Sequence, residues 1–394
     1  MSHILMVNIP ARGHVFPTLA IVGELVRRGH RVTYAAVDDF AQALAEVGAE
    51  HLRYESTQPL DSVGDPENGR APLIFLDENI AILHAVREQF ADARPDVVVY
   101  DAVAFQAGRI LADTWELPAV QSTPFFASND TYSFVQKMME ADGAVPLTEE
   151  VVVEFGVRMA QLLASHGIDE PAHEFLMRTE DLNLVHVPRF FQPYGESFDE
   201  RFVFVGPCLT DRSFLGEWQP PAGGLPVALV SMGTVHNKHP ELFRLCVEAF
   251  AGLPWHAVIS VGEGTDPAGL GPLPGNVEVH RWVSHLAVLR HARLVVTHGG
   301  MGGVLESLDA GCPMVGVPTW PDVAANTERM AELGLGRMLL PAEADVRLLR
   351  AAITAVAGDA AVRERVAEAQ QLTREAGGAV RAADEIEACL KRTT

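Results

Sequence analysis

The sequence predicts an α/β protein made of two doubly wound, Rossmann-like domains in series, their sheets facing a central cleft. Three observations carry this. The chain opens strand, loop, helix, strand, the order of a parallel βαβ unit. A Gly- and Pro-rich stretch without period, "GPCLTDRSFLGEWQPPAGGLP" (206–226), interrupts it near the middle. Beyond that stretch the same α/β rhythm starts again.

Each element follows from its pattern. "HILMVNI" (3–9) is an apolar run too short to cross a membrane and without a basic leader, so it reads as a buried first strand. "ARGHVFP" reads as loop, and "TLAIVGELVRR" (18–28) as a helix stopped by Gly29. "RVTYAAV" (31–37) is the second strand, and "AQALAEVGA" (41–49) a short helix. "PDVVVYD" (95–101) is apolar up to Asp101, as a strand buried on both faces must be. "ELPAVQST" (116–123) is the next strand, and residues 130–180 read mostly helical. After the linker come the strands "PVALVSMGT", "WHAVISVG", "VEVHRWV", "RLVVTH" and "PMVGVP", with "ELFRLCVEAFAGL" a helix between the first two. Three helices close the chain. The expected division is 1–210, a linker at 211–226, a second domain at 227–375, and a last helix at 376–394 able to pack back on the first domain.

Composition narrows the function. Nearly half of the 394 residues are apolar, which is enough for two cores. The net charge of −22 argues against nucleic acid and against anionic membrane surfaces as partners. A phosphorylated small molecule remains open, because a few backbone N–H groups can hold an anion locally. Four dispersed cysteines without a CxxC make zinc and a disulfide framework unattractive and fit a reducing, cytoplasmic setting.

The chemistry-bearing stretch is "HGGMGGVLES" (298–307), where four glycines lie between a strand and a helix. A helix N-terminus offers unpaired N–H groups and partial positive charge, and glycines let a phosphate approach the backbone. His298 would add a donor, and Glu306 could accept from ribose hydroxyls. The alternative is a tight turn and a solvated glutamate. A dinucleotide site is disfavoured: Gly300-x-Gly302 lacks the third glycine at the right spacing, and the first βα loop has one glycine.

In that first loop stands His14, and Asp101 ends a strand of the same sheet, so both face one edge. An aspartate that orients an imidazole is what a general base needs; a surface histidine and a helix-capping aspartate are the plain alternative. Trp282 can stack on a nucleobase or pack at an interface. The loop "SMGT", ending at Thr234, can approach phosphate or merely turn, and Asp322 can meet sugar hydroxyls or cap a helix. "HNKH" (236–239) reads as a solvated loop, and Asp38 and Asp39 as helix caps rather than metal ligands.

"GHVFP", "RWVSHLAVL", "THGGMGGVLESLDAGCPMVGVP" and "PDVAANTERMAELGLG" together resemble the GT-B glycosyltransferases that use nucleotide sugars, the macrolide glycosyltransferases of the oleandomycin type above all. The likeness spans nearly the whole chain. It implies His14 as catalytic base with Asp101 as its partner acid. It implies Trp282, Val283 and His285 around the base, and Glu306 on the ribose. His298, Gly300, Gly302, Gly303, Val304 and Thr234 fall around the diphosphate, and Asp322 at the donor sugar. It further implies an inverting reaction without metal or cofactor, the UDP- or TDP-sugar being a co-substrate.

Three departures matter. The family's Trp-x-Pro-Gln is Trp282-Val283-Ser284-His285 here; the hydroxyl residue after the glycine turn is missing, Gly303 and Val304 leaving backbone donors; and Val323, not Gln, follows Asp322. The last puts glucose in doubt and favours a deoxysugar.

The expected acceptor is bulky, apolar and hydroxylated, a macrolide by overall resemblance, with Phe125, Phe126, Met138 and Met139 as pocket candidates, although ordinary core packing is the expected role for most of the four. A nucleotide-sugar epimerase or hydrolase and a non-catalytic binding protein are the rivals. Resistance and biosynthetic roles, and the oligomeric state (a homodimer included), stay open.

Overall fold

The structure is a computed structural model that describes residues 1–57, 69–141, 144–210, 217–233 and 238–393. It divides into two compact units: 1–134 with 144–210 and 376–394, and 135–143 with 211–375. Residues 135–143 therefore group with the second unit, not the first as expected, and Lys137 Nζ is tied there to Glu328 Oε2 at 2.8 Å.

The first unit alternates β1 (His3–Val7), α1 (Arg12–Arg27), β2 (Arg31–Ala36), α2 (Ala41–Glu46), β3 (Glu50–Arg53), α3 (Ala71–Gln89), β4 (Val97–Asp101), α4 (Phe105–Trp115) and β5 (Ala119–Thr123). After α5 (Phe134–Met139), which runs into the second unit, come α6 (Glu149–Ser165), α7 (Ala172–Met177), β6 (Asn183–Val185) and β7 (Phe202–Phe204). The strands form one parallel sheet in the order β3-β2-β1-β4-β5-β6-β7. Ile4, Leu5 and Val97 to Tyr100 are buried in its centre, as their apolar runs require. α4 packs so closely that a Cβ on Gly108 would stand 2.2 Å from the Tyr100 ring. The strand order reverses between β1 and β4, the switch point where such sheets bind ligands.

α1 starts six residues earlier than the periodicity suggests, at Arg12 rather than Thr18. Pro17 reads as a helix breaker, but it sits near the start, where its missing hydrogen bond would have gone to Gly13. Gly13 is exposed, so water can serve that carbonyl. α3 escapes the sequence pattern because Glu78 and Asn79 are buried midway among Leu73, Leu76, Ile82 and Leu83. Glu78 is satisfied there by Tyr54 Oη, Ser56 Oγ, Thr57 N and Thr57 Oγ1, all within 2.9 Å.

The second unit runs β8 (Val227–Ser231), α8 (Pro240–Phe250), β9 (His256–Ser260), β10 (Val277–His280), α9 (His285–Leu289), β11 (Ala292–Thr297), α10 (Met301–Ala310), β12 (Met314–Gly316), α11 (Pro321–Glu332), β13 (Gly336–Met338), α12 (Val346–Gly358) and α13 (Ala360–Glu375). Its parallel sheet has the order β10-β9-β8-β11-β12-β13, with the switch point between β8 and β11. Ser284 and Asp345 cap α9 and α12 through Ala287 N and Leu348 N.

The last helix, α14 (Gly378–Thr393), groups with the first unit and packs on α1, burying Ala382, Ala383 and Ile386. Arg28 reaches Asp384 at 2.6 Å, and His30 reaches Glu387 at 2.9 Å. Among the described residues no helix is long and apolar enough to cross a membrane. The four cysteines are free and buried; burial pushes the thiols of Cys208, Cys246 and Cys312 up to about 12.

Candidate active site

At the switch point of the first sheet, the carboxyl end of β4 delivers Asp101 and the first turn of α1 delivers His14. His14 is thus a helix residue rather than a loop residue, held by the backbone and not merely tethered. Asn8 Nδ2 adds a hydrogen bond to its carbonyl at 3.1 Å. His14 Nδ1 lies 2.9 Å from Asp101 Oδ2, and Val103 N donates to Asp101 Oδ1 at 2.8 Å. An ionised carboxylate only accepts, so Nδ1 carries the proton and Nε2 keeps its lone pair. The carboxylate is fully buried, while the imidazole is 20% exposed.

The aromatic surroundings sort the acceptor candidates. The half-buried Phe125 ring stands edge-on to His14 at 5.9 Å. Phe126 is fully buried against Phe134, Phe191 and Tyr132, so it is core and not pocket lining. Met138 is half-buried and Met139 exposed on α5, within the stretch that groups with the second unit.

In the second unit the turn after β11 is built on glycine for two reasons. Gly299 has φ +93°, and a Cβ there would stand 2.0 Å from Thr327 Oγ1. Gly299 N donates to Thr297 Oγ1 at 3.1 Å, and Asn326 Nδ2 donates to its carbonyl at 3.0 Å. Gly300 then begins α10 with no side chain capping it, so the first turn presents main-chain donors alone. Gly302 is exposed, with nothing within 4 Å of where a Cβ would be. An anion can approach such a helix end closely.

Val304 does not serve as expected. Its side chain is fully buried, and its N–H already donates to Gly300 O at 3.0 Å. The fourth helical residue closes the first turn, which leaves the earlier amides for a ligand. Val283, too, is buried, so only its backbone is available.

His298 is wedged by its neighbours. A Cβ on Gly233 or on Gly300 would stand 2.5 or 2.6 Å from its Nε2. Gly233 follows β8 and His298 follows β11, adjacent strands in register at Ser231 and Thr297. Thr234 lies outside the described residues.

Trp282 lies just beyond β10, and its Nε1 donates to Glu263 Oε1 at 2.6 Å. Glu306, buried in α10, has Oε2 3.9 Å from His285 Nδ1. Asp322 occupies the first turn of α11 without being its cap, which is Trp320. There its carboxylate suits the positive end of the helix. Val323 beside it is buried and cannot stand in for an exposed amide. The structure thus gathers Gly233, Trp282, His285, His298, the glycine turn and Glu306 on the carboxyl edge of one sheet.

Two groups escaped sequence reasoning. Glu263 has one signal, an acid between glycines just past an apolar strand. His186 has none: it follows the three-residue β6 and is hydrogen-bonded to Ser122 Oγ at 2.8 Å inside the first unit. Among the described residues no group of three His, Cys, Asp or Glu could hold a metal ion.

The class is that of two-domain α/β proteins, with a histidine–aspartate pair at the switch point of one Rossmann-like unit and an uncapped helix start after a glycine turn in the other. Comparison with known proteins gives the family. Residues 247–387 match the family described as erythromycin biosynthesis protein CIII-like, C-terminal domain. The chain is 38% identical to the NDP-glycosyltransferase YjiC of Bacillus licheniformis, over 99% of this chain and 98% of that one. It is 39% identical to the oleandomycin glycosyltransferase of Streptomyces antibioticus, over 98% and 90% respectively. The crystal structure of a calicheamicin glycosyltransferase superposes with a TM-score of 0.88 at 44% identity, covering 100% of this chain and 99% of the other. The chain belongs to this family of GT-B glycosyltransferases. These names favour sugar transfer over the epimerase, hydrolase and non-catalytic readings.

Proposed function

We propose that the protein transfers a sugar from a UDP- or TDP-sugar to a hydroxyl of a bulky natural product, a macrolide in the first instance, with inversion and without a metal. The observation that carries this is the 2.9 Å contact between His14 Nδ1 and the buried Asp101 Oδ2. It fixes the tautomer that leaves Nε2 basic. An acceptor hydroxyl is a poor nucleophile until a base takes its proton. Nε2 of His14 takes it as the oxygen bonds to the anomeric carbon, and Asp101 steadies the imidazolium. The bond from that carbon to the diphosphate breaks through an oxocarbenium-like state, and the departing diphosphate carries the electron pair. The uncapped start of α10 and His298 receive that charge. Attack from the face opposite the diphosphate inverts the centre.

Glu306 is assigned to the ribose, Trp282 to the base and Asp322 to the sugar. The buried Val323 supports a donor with fewer hydroxyls than glucose. The acceptor class rests on the activities for which relatives are named, such as the oleandomycin glycosyltransferase and the demethyllactenocin mycarosyltransferase of Streptomyces fradiae. The setting we infer is cytoplasmic.

The test is a mass-spectrometric screen of UDP- and TDP-sugars against macrolides and other hydroxylated acceptors. A glycosylated macrolide formed only with donor and acceptor together supports the reading. Donor consumed at the same rate without any acceptor overturns it.

A further inference from the structure

Glu263 stands where a carboxylate is least expected, beside the platform assigned to the base of an anionic nucleotide. We propose that Glu263 is a positioning residue that holds Trp282 in its base-stacking orientation before the donor arrives, an inference that rests on the donor-site reading above.

The geometry is a clamp with two anchors. Glu263 Oε1 accepts from the indole Nε1 of Trp282 at 2.6 Å, and Oε2 accepts from Arg281 Nη1 at 2.9 Å. Both carboxylate oxygens are therefore used, one by the indole and one by the guanidinium. The backbones are fixed as well. Val261 N donates to His280 O at 3.0 Å and Gly262 N to Arg281 O at 2.9 Å, continuing the β9–β10 ladder past the ends of both strands. Gly262, at φ +68°, then turns the chain at the residue before Glu263.

An indole has one donor and no acceptor, so a single hydrogen bond decides which way its edge points. Trp282 is only half-buried, so part of its ring faces solvent. Ordering the ring in advance removes the entropic cost of doing so from nucleotide binding.

Charge and position act in opposite directions, which makes the inference testable. A carboxylate near the site repels a nucleotide diphosphate, so electrostatics alone predicts tighter binding when it is removed. Positioning predicts weaker binding for Glu263→Ala, because the indole loses its acceptor. Glu263→Gln discharges the site and leaves one acceptor oxygen for two donors, the indole N–H and the Arg281 guanidinium, so it keeps one anchor of the two.

The experiment is calorimetric titration of UDP and TDP into wild type, Glu263→Ala, Glu263→Gln and Trp282→Ala, with steady-state kinetics on the first three. We expect Glu263→Ala to weaken nucleotide binding about three- to tenfold. The loss falls on donor KM rather than on kcat. Glu263→Gln, with one acceptor oxygen left, binds more weakly than wild type but better than Glu263→Ala. Unchanged or tighter binding by Glu263→Ala, with Trp282→Ala impaired, overturns the positioning role and leaves the donor-site reading standing. Nucleotide affinity unchanged in Trp282→Ala overturns the stacking assignment itself, and this inference with it.

Discussion

Ser122 Oγ is 2.8 Å from His186 Nε2, and Ser122 is the cross-strand partner of Asp101 at the carboxyl edge of the first sheet. A second, fully buried histidine thus stands near the His14–Asp101 pair. Burial, the largest influence, pushes its pKa down to about 4, against a smaller upward pull from Asp101 and a further push down from His14. His186 is neutral at pH 7, and His14 remains the imidazole that Asp101 holds.

Acid should therefore cost stability through His186. In the unfolded chain the ring titrates near 6.5, and in the fold near 4. Between these values the unfolded state binds more protons, so stability is full above 6.5 and falls as pH drops toward 4. The expected loss is about 2 kcal/mol by pH 5. Thermal melts at pH 7 and pH 5 measure it. The double variant Ser122→Ala, His186→Leu should lose less between the two values than wild type does. An equal loss would place the effect in other groups.

His14→Ala should abolish transfer while UDP and TDP affinity stays within a few fold, because the base as proposed acts on the acceptor and not on the nucleotide. Asp101→Asn keeps the shape but can hold the wrong tautomer, and should lower kcat by about 10²- to 10⁴-fold. Steady-state kinetics and calorimetry on the same preparations check both. Near-normal turnover in His14→Ala would mean that another group takes the proton.

The glycines of the turn should separate stability from function. At Gly299 the left-handed backbone and the 2.0 Å approach to Thr327 make an alanine costly, by about 2 kcal/mol or more. At Gly302, within α10 and exposed, a methyl group meets nothing, and alanine should stabilise by about 0.5–1 kcal/mol. The same methyl group would stand in the path of a diphosphate docked as proposed at the start of α10. Gly302→Ala is thus expected to melt higher than wild type and to bind UDP or TDP more weakly. A melting gain without loss of affinity would move the phosphate elsewhere.

What the sequence made legible follows the length and purity of each pattern. β1, β4, β8 and β11 carry apolar runs that are buried on both faces, Arg293 of β11 being the exposed exception, and their order along the chain already implies two parallel sheets. His14 and Asp101 could be placed on one edge by that order alone. Whether His14 sat in a loop or a helix turned on Pro17, whose cost depends on where in a helix it falls, a fact local pattern does not carry. α3 was hidden by Glu78 and Asn79, polar residues buried by partners distant in sequence. Phe125 and Phe126 could not be told apart by pattern, because an aromatic beside a site looks the same in sequence whether it is half-exposed or fills the core, as Phe126 does. Glu263 and His186 matter through single contacts across strands, which spacing along one chain cannot predict.

The wedging of His298 gives the last prediction. Its ring occupies the space that side chains at 233 and 300 would need, so three positions share one volume. His298→Ala should weaken UDP and TDP binding about tenfold or more, the usual cost of losing a hydrogen bond to a charged group. It should also open room. Gly300→Ala in the wild-type background must push the imidazole aside, since its Cβ would come within 2.6 Å of Nε2. Gly300 has φ −56°, so its backbone accepts alanine, and in the His298→Ala background the same change should cost little. The two substitutions are therefore expected to be strongly non-additive in stability, by about 1 kcal/mol or more. Gly233, at φ +84°, provides the contrast: alanine there is strained with or without the ring, and its cost should persist in both backgrounds. Melting curves for the four combinations at position 300, and the same four at 233, decide it. Additive losses at 300 would show that the ring yields freely, and that His298 is not held rigidly enough to await a diphosphate.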